Sequence, residues 1–196
     1  MQAAEKLKIV RKDWNGFNVL QNAASRTGAL DVGFLPAAKG KGFADILSGT
    51  KDGSIKALFL LGADEFNAAE AIGWKCLTVY IGHHGDHGAQ RADVILPASA
   101  YTEKDGIYVN TEGRAQLARR AVSPPGDARE DWSILRALSE ALGATLPYDN
   151  AVQLRERIGK EWPHLVEFDA IAAAEFKAPA KVGKFDKAAF SLPIRN

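Results

Sequence analysis

The sequence contains a single cysteine among its 196 residues, and this scarcity is the strongest limit on its chemistry. One thiol excludes an internal disulfide. An iron–sulfur cluster is held by about four thiolates, so this chain alone does not supply the ligands for one. Cys76 precedes the apolar run that begins at Leu77. We interpret it as a small buried hydrophobe at the entrance of a strand, and not as a redox or catalytic group.

The chain also lacks a net charge and a long apolar run. Its 25 basic and 24 acidic residues leave a formal charge of +1, which argues against nucleic acid or anionic lipid as a partner. The wholly apolar runs, such as 57–61, are far shorter than the roughly 20 residues of a membrane helix. The N-terminus lacks the apolar stretch of a signal peptide. We therefore expect a soluble globular protein without direct membrane insertion.

Three apolar runs predict an α/β fold. They cover residues 55–62, 77–82 and 93–97, and the first is apolar at nearly every position. A strand that is apolar on both faces is typical of a parallel sheet covered by helices. The sequence therefore predicts a three-layer α/β domain with a mostly parallel sheet and flanking helices. The spacer before the third strand leaves little room for a full crossover helix.

Helical spacing of apolar residues predicts four helices around this sheet. They cover residues 18–29, closed by Gly28; 43–49; a segment that opens at Asp127 or Asp131 and ends at Gly143; and 152–158. Residues 101–117 are typical of a hairpin-like excursion. We expect residues 1–13 to be a frayed start, residues 14–168 to form one domain, and residues 169–196 to be an extended tail.

A histidine-rich loop follows the second predicted strand. The segment Gly82-His83-His84-Gly85-Asp86-His87-Gly88 offers zinc-type ligands at the carboxyl end of a parallel strand, where α/β proteins bind ligands. Adjacent histidines tend to diverge, however, and three glycines make a loop pliable. We therefore favour a glycine-shaped turn and keep a small metal-binding module as an alternative.

The loop after the first predicted strand reads Gly62-Ala63-Asp64-Glu65. An acid here would suit a ribose hydroxyl, but the phosphate-cradling patterns GxGxxG and GxxxxGK[ST] are absent from the sequence. We expect Asp64 to cap the next short helix.

Glu103, Lys104, Glu112 and Arg114 lie in the hairpin-like excursion without a nucleophile and base beside them. We expect a structural network in which Asn110 and Arg114 tie this excursion to the sheet. No catalytic residue is predicted.

Several of these segments together resemble the molybdopterin oxidoreductase superfamily in order and spacing. They are Ala92-Asp93-Val94-Ile95-Leu96-Pro97, Thr102-Glu103-Lys104-Asp105-Gly106, the run 109–116, Pro124-Pro125-Gly126 and Asp131-Trp132. Four further segments narrow this resemblance from the superfamily to one subunit. They are residues 14–20, 56–64, 82–86 and 132–148. The chain looks like the C-terminal part of the large iron–sulfur subunit, the 75 kDa type, of respiratory NADH:quinone oxidoreductase (complex I).

The resemblance implies a supporting role. In that subunit an N-terminal region carries the iron–sulfur clusters, and the C-terminal region keeps a molybdoenzyme-like fold without the pterin. We therefore expect a scaffold that has no cofactor of its own and is catalytically inactive alone. In molybdoenzymes the loops matching Gly62, Asp64, His83 and Asp86 approach the pterin dinucleotide, so these positions are interpreted as vestigial cofactor contacts. No metal ligand is assigned.

The resemblance also implies partners and a location. The expected partners are the other subunits of NADH:quinone oxidoreductase and the cluster-bearing part of the same subunit, in the peripheral arm on the cytoplasmic side of the bacterial inner membrane. Since the family polypeptide is several times longer, we expect Met1 to mark a cut end or a split gene. An alternative is a fragment of a molybdopterin-dinucleotide-dependent enzyme, such as a formate dehydrogenase, that contacts the dinucleotide through Asp64 and Asp86.

Overall fold

Three parallel strands form the central sheet of the computed structural model, which describes residues 2–11 and 14–170. The helices are α1 (Gln2–Lys6), α2 (Arg26–Asp31), α3 (Phe43–Asp52), α4 (Ala68–Ala71), α5 (His87–Arg91), α6 (Asp131–Ala141) and α7 (Ala151–Glu161). The strands are β1 (Val10–Arg11), β2 (Trp14–Asn15), β3 (Ala57–Leu61), β4 (Leu77–Gly82), β5 (Val94–Pro97), β6 (Gly106–Val109) and β7 (Ala115–Ala118). A 3₁₀ turn covers Pro163–Val166. No helix of these residues is long and apolar enough to cross a bilayer.

Gln21 begins a compact unit that contains every element from α2 onward. The elements α1, β1 and β2 belong to a second unit, in which β1 and β2 pair antiparallel. The first residues, for which the sequence predicts a frayed start, thus include a short helix and a strand. The predicted extended tail lies almost wholly outside the described residues.

The central sheet has the strand order β3-β4-β5, and all its pairs are parallel. The three apolar runs therefore predict the three strands correctly. The central strand β4 is buried from Thr78 to Gly82. The expectation of burial on both faces is wrong for β3, because Phe59 and Leu61 are 45% and 48% exposed. β3 is an edge strand, and one of its faces lacks a cover among the described residues.

Helices pack against both faces of the sheet and form three layers, although the face that bears Phe59 and Leu61 is only partly covered. On one face, Leu60 and Tyr80 pack with Ala68, Ile72 and Cys76. Cys76 is 1% exposed, which confirms its interpretation as a buried hydrophobe. On the other face, α6 packs Ile134 and Leu135 against Val79, Ile81 and Ala98. The predicted packing of this helix on the sheet is therefore confirmed.

The hairpin-like excursion is an antiparallel hairpin of β6 and β7. Its core consists of Val109, Ala115 and Leu165. The expected tie from Asn110 and Arg114 to the parallel sheet is wrong. The Asn110 side-chain oxygen accepts hydrogen bonds from the backbone N–H groups of Glu112 and Arg114, both at 3.0 Å, and so shapes the hairpin turn. The Arg114 guanidinium donates to the carbonyl oxygen of Asp169.

The helix predicted at 18–29 begins later and ends later than expected. α2 runs from Arg26 to Asp31, so Gly28 lies inside it instead of closing it. A Cβ at Gly28 would stand 3.5 Å from the Val109 side chain, an ordinary van der Waals distance, so the helix lies against the hairpin at this position. Gly33 follows the helix with a φ of 71°, a conformation that glycine adopts without strain.

Two other helices are longer than their patterns indicate. α3 continues past Gly49 to Asp52 and ends at Gly53, whose φ is 82°. α7 extends to Glu161, and Val152, at the start of the predicted segment, is 60% exposed. α6 ends as predicted, with Gly143 just beyond it at a φ of 73°.

One buried arginine stabilises the amino edge of the sheet. Arg91, at the end of the five-residue helix α5, is 4% exposed. Its guanidinium donates to the carbonyl oxygens of Gly73 at 2.7 Å and Cys76 at 3.2 Å, and it lies 3.5 Å from the Asp93 carboxylate. It also lies 5.1 Å from the centre of the Trp74 ring system. The segments that enter β4 and β5 are therefore joined by one side chain.

Candidate functional site at the carboxyl edge of the sheet

The carboxyl ends of β3, β4 and β5 meet at one edge of the sheet because the strands are parallel. This is the edge at which open α/β sheets bind ligands. The loops that follow β3 and β4 bring the predicted positions Gly62, Asp64, His83 and Asp86 to this edge. Their local contacts determine what the edge can bind.

Asp64 accepts a hydrogen bond from the hydroxyl group of Tyr80 at 3.2 Å. The prediction that Asp64 caps the next helix is wrong, since α4 begins after Asn67 and has no side-chain cap. Gly62 has a φ of 60° and donates its backbone N–H to the Ile81 carbonyl oxygen at 2.7 Å. The turn after β3 therefore directs the Asp64 carboxylate back over β4.

Tyr80 lies buried at the centre of this edge and is 1% exposed. Burial, followed by the charge and hydrogen bond of Asp64 and then the charge of Asp86, raises the pKa of Tyr80 to about 12. All of these disfavour the phenolate, because a phenolate would lose its hydration and face two carboxylates. The tyrosine is therefore a neutral hydrogen-bond donor well above neutral pH.

Two glycines of the histidine-rich loop lie against the Tyr80 ring. A Cβ at Gly82 would come within 2.3 Å of the Tyr80 hydroxyl oxygen, and one at Gly88 within 2.6 Å of the ring. Both distances are far shorter than a van der Waals contact. These glycines are therefore required by an internal side chain, and this part of the loop is filled by Tyr80.

His83 and His84 lie beside each other at the start of the same loop. Their ring centres are 4.3 Å apart, so the expectation that adjacent histidines diverge is wrong here. Partial burial of the ring, followed by the charges of His84 and Lys104, lowers the pKa of His83, although Asp131 and Glu103 act in the opposite direction. The net effect favours a neutral imidazole at pH 7.

An open cavity of about 330 Å³ lies next to these histidines, with Glu103 and Asp127 also in its wall. Charged groups at and near this cavity have partners in the protein. Glu103 accepts from the backbone N–H of Ala100 at 2.9 Å, and Lys104 forms an ion pair with Asp131. Within the described residues, no group of three histidine, cysteine or acidic side chains is arranged to hold a metal ion.

Asp86 precedes α5 with an extended backbone and has no side-chain bond to the helix. Two of the four predicted cofactor positions, Asp64 and Asp86, thus carry charges that help raise the pKa of Tyr80. Gly62 shapes the turn after β3, and His83 lines the cavity. Sequence patterns did not identify Tyr80, because it reads as one more apolar position of a strand. Gly82 and Gly88, which leave space for a large side chain, were the sequence signal that could have identified it.

A second cavity, of about 310 Å³, lies among α2, the β6–β7 hairpin, α6 and α7. Its wall is mainly apolar and includes Val32, Ile107 and Leu154. At its rim Asp105 lies 3.5 Å from the Arg155 guanidinium. A hydrogen bond from the backbone N–H of Arg120, opposed by burial, lowers the pKa of Asp105. Sequence analysis missed this cavity since its lining residues are scattered from 25 to 165.

Comparison with known proteins agrees with the resemblance that the motifs indicate. Residues 1–141 match the model of the family described as molybdopterin oxidoreductase. The NADH-ubiquinone oxidoreductase 78 kDa subunit of Neurospora crassa is 52% identical over 175 residues, which is 89% of this chain and 22% of that protein. The corresponding subunit of Candida albicans is 49% identical over 94% of this chain and 25% of that protein. The chain thus spans about a quarter of the length of these relatives.

Among solved structures, acetylene hydratase from Pelobacter acetylenicus has a similar fold. The TM-score is 0.50 at 22% identity, and the match covers 63% of this chain and 19% of that structure. At this identity the likeness shows the fold alone. It supports the α/β architecture of the parallel sheet and its helices.

Proposed function

Since the chain belongs to the molybdopterin oxidoreductase family, we propose that it acts as a scaffold in the iron–sulfur subunit of NADH:quinone oxidoreductase. In this role it supports electron transfer from NADH to quinone without a redox centre of its own. The observation that carries the proposal is the identity of about half of all aligned residues with the 78 kDa subunits, over nearly the whole chain.

The cysteine content supports the absence of a cluster from this chain. Cys76 is its only thiol, and burial, opposed by the charge of Arg91, raises the thiol's pKa. A cluster requires about four thiolates, and a buried thiol with a raised pKa is a poor ligand. In the proposed assembly, the clusters are therefore bound by other polypeptide segments.

The contacts of Tyr80 at the carboxyl edge of the sheet argue against a pterin dinucleotide beside Gly82 and Gly88. Tyr80 fills the space beside Gly82 and Gly88, where a glycine-rich loop would otherwise admit a cofactor. The carboxylate of Asp64, which would suit a polar group of such a ligand, accepts the tyrosine hydroxyl instead. We therefore interpret the part of this edge around Asp64 and Tyr80 as occupied by the protein's own side chains.

The proposed partners are the cluster-bearing part of the same subunit and the neighbouring subunits of the complex. The proposed location is the peripheral arm, on the cytoplasmic side of the inner membrane in a bacterium. The near balance of charge, +1 overall, gives no support to a nucleic-acid partner.

The proposal is tested with purified chain and with the assembly from its native host. We expect the isolated chain to show neither iron–sulfur absorbance nor NADH oxidation with an artificial acceptor. We expect the assembly to contain the chain in a fixed ratio to the cluster-bearing polypeptide. Iron–sulfur absorbance or NADH oxidation by the chain alone would contradict the scaffold role. Molybdenum and pterin found in native protein by mass spectrometry would favour the formate-dehydrogenase-like alternative instead.

A further inference from the structure

One face of the parallel sheet is only partly covered. Side chains at paired positions of neighbouring parallel strands lie on the same face, and alternate residues of a strand share it. The strand register therefore groups Phe59 and Leu61 with Leu77, Val79 and Ile81. The helix α6 contacts Val79 and Ile81 on this face.

The remainder of this face forms an exposed apolar surface. Phe59 and Leu61 are 45% and 48% exposed, and Leu77 and Val94 are 47% and 42% exposed. Ala57, which pairs with Leu77, is also exposed. We call these five residues the open sheet face. A contiguous surface without a charged member is typical of a contact site rather than of a solvated surface.

The backbone edge beside this surface is also open. β3 pairs with β4, and no other strand within residues 2–11 and 14–170 pairs with it. Parallel sheets occur almost only with both faces covered, and an average sheet has about five or six strands. A free apolar edge invites pairing with another strand, and proteins normally cover such an edge. The exposed side chains of β3 and its unpaired backbone edge thus both indicate that a further strand and helix pack there.

We propose that the open sheet face and the free edge of β3 are the docking surface for the rest of the iron–sulfur polypeptide, which contributes an apolar strand and its covering helix. This inference rests on the proposed function. Its occupant follows from the relatives' length, since the chain accounts for 22% to 25% of them and about three quarters of a homologous polypeptide remains to be accommodated. A strand beside β3 would extend the sheet, and its helix would continue the layer that α6 begins.

A thiol placed on the surface tests this contact directly. Phe59→Cys introduces one accessible thiol, because the native Cys76 is 1% exposed. N-ethylmaleimide should label the variant rapidly in the isolated 196-residue chain and at least tenfold more slowly in the purified assembly. Val152→Cys is the matched control, since Val152 is 60% exposed on α7 and lies outside the open sheet face. Its labelling rate should be similar in both states.

A second measurement uses Phe59→Asp and Val152→Asp in cells that produce the assembly. Phe59→Asp should lower the amount of chain that co-purifies with the cluster-bearing polypeptide, identified by mass spectrometry, at least tenfold, while Val152→Asp leaves it unchanged. Thermal unfolding of the purified variants is measured to check that both remain folded. If Phe59→Asp does not fold, the labelling experiment decides alone.

The outcomes separate this inference from the proposed function. If the wild-type chain is present in the assembly but the thiol at position 59 is labelled as fast as in the isolated chain, the docking surface is wrong and the scaffold role stands. If the wild-type chain is absent from the assembly, the proposed function fails. If the isolated chain forms a dimer that Phe59→Asp dissociates, the occupant is a second copy, and the inference is overturned.

Discussion

Replacing Tyr80 by phenylalanine tests the contact between Tyr80 and Asp64 at the carboxyl edge of the sheet. The substitution keeps the ring that packs against Gly82 and Gly88 and removes the hydroxyl group that donates to Asp64. At neutral pH we expect a loss of roughly 1.5–3 kcal/mol in the free energy of unfolding, the range for a hydrogen bond to a charged group. The more specific effect is a change in how stability depends on alkaline pH.

The sign of the alkaline effect follows from the raised pKa of Tyr80. The folded protein keeps the phenolic proton up to about pH 12, whereas the unfolded chain releases it near the ordinary pKa of 10. Between these values the unfolded state binds fewer protons, so stability falls as the pH rises. A shift of two units corresponds to about 3 kcal/mol. This contribution is fully present below pH 10 and is lost by about pH 12.

Urea unfolding between pH 8 and pH 12, followed by fluorescence of the four tryptophans, measures this difference. The Tyr80→Phe protein should lack the part of the alkaline decline that Tyr80 causes, so the stability curves of the two proteins should converge or cross as the pH rises. Groups that titrate in both proteins cancel in the comparison. Parallel curves over the whole range would refute the reasoning, because Tyr80 would then titrate alike in the folded and unfolded chains.

Other substitutions test the core and the loop. Leu60→Asp should bury an unpaired carboxylate and cost several kcal/mol, enough to unfold a domain of ordinary stability, whereas His84→Ala should change stability by less than about 0.5 kcal/mol; similar melting of the two variants would show that the core assignment is wrong. Gly82→Ala should lower the free energy of unfolding by about 1–3 kcal/mol through overpacking, as measured by urea unfolding. A smaller side chain at position 80 should relieve most of that cost. If it does not, a clash with the Tyr80 ring is not the cause of the destabilisation. The thiol of Cys76 should react with a water-soluble disulfide reagent only as the protein unfolds in urea, because burial raises its pKa; full reaction in native buffer would contradict its burial.

The sequence predicted best the elements whose environment is uniform along their length. β4 was predicted from Leu77 to Gly82 and has these bounds, since a central strand buried on both faces is apolar at almost every position. α6 was predicted from its apolar spacing, its acidic first turn and Gly143. In both cases local composition and tertiary packing favour the same structure.

The features that escaped prediction depend on contacts between distant residues. Asp64 has the composition of a helix cap, but Tyr80, sixteen positions later, provides its partner. Gly28 is typical of a helix end, yet it lies within α2, where it faces Val109 of the hairpin. The exposure of Phe59 depends on which strands flank β3, and an apolar run carries no information about this. The sequence therefore indicated the region of the candidate site but not the contacts that close it.

The buried guanidinium of Arg91 stabilises one end of the sheet, and the histidine-rich loop lies at the other end. It bonds to the carbonyl oxygens of Gly73 and Cys76 and lies near the Asp93 carboxylate, so the starting points of β4 and β5 are held by contacts that do not involve the histidine-rich loop. Changes of side chain at His83, His84 and Gly85 of that loop should therefore leave the strand alignment intact. A fold anchored in this way can exchange the chemistry of one rim while the opposite rim preserves its architecture.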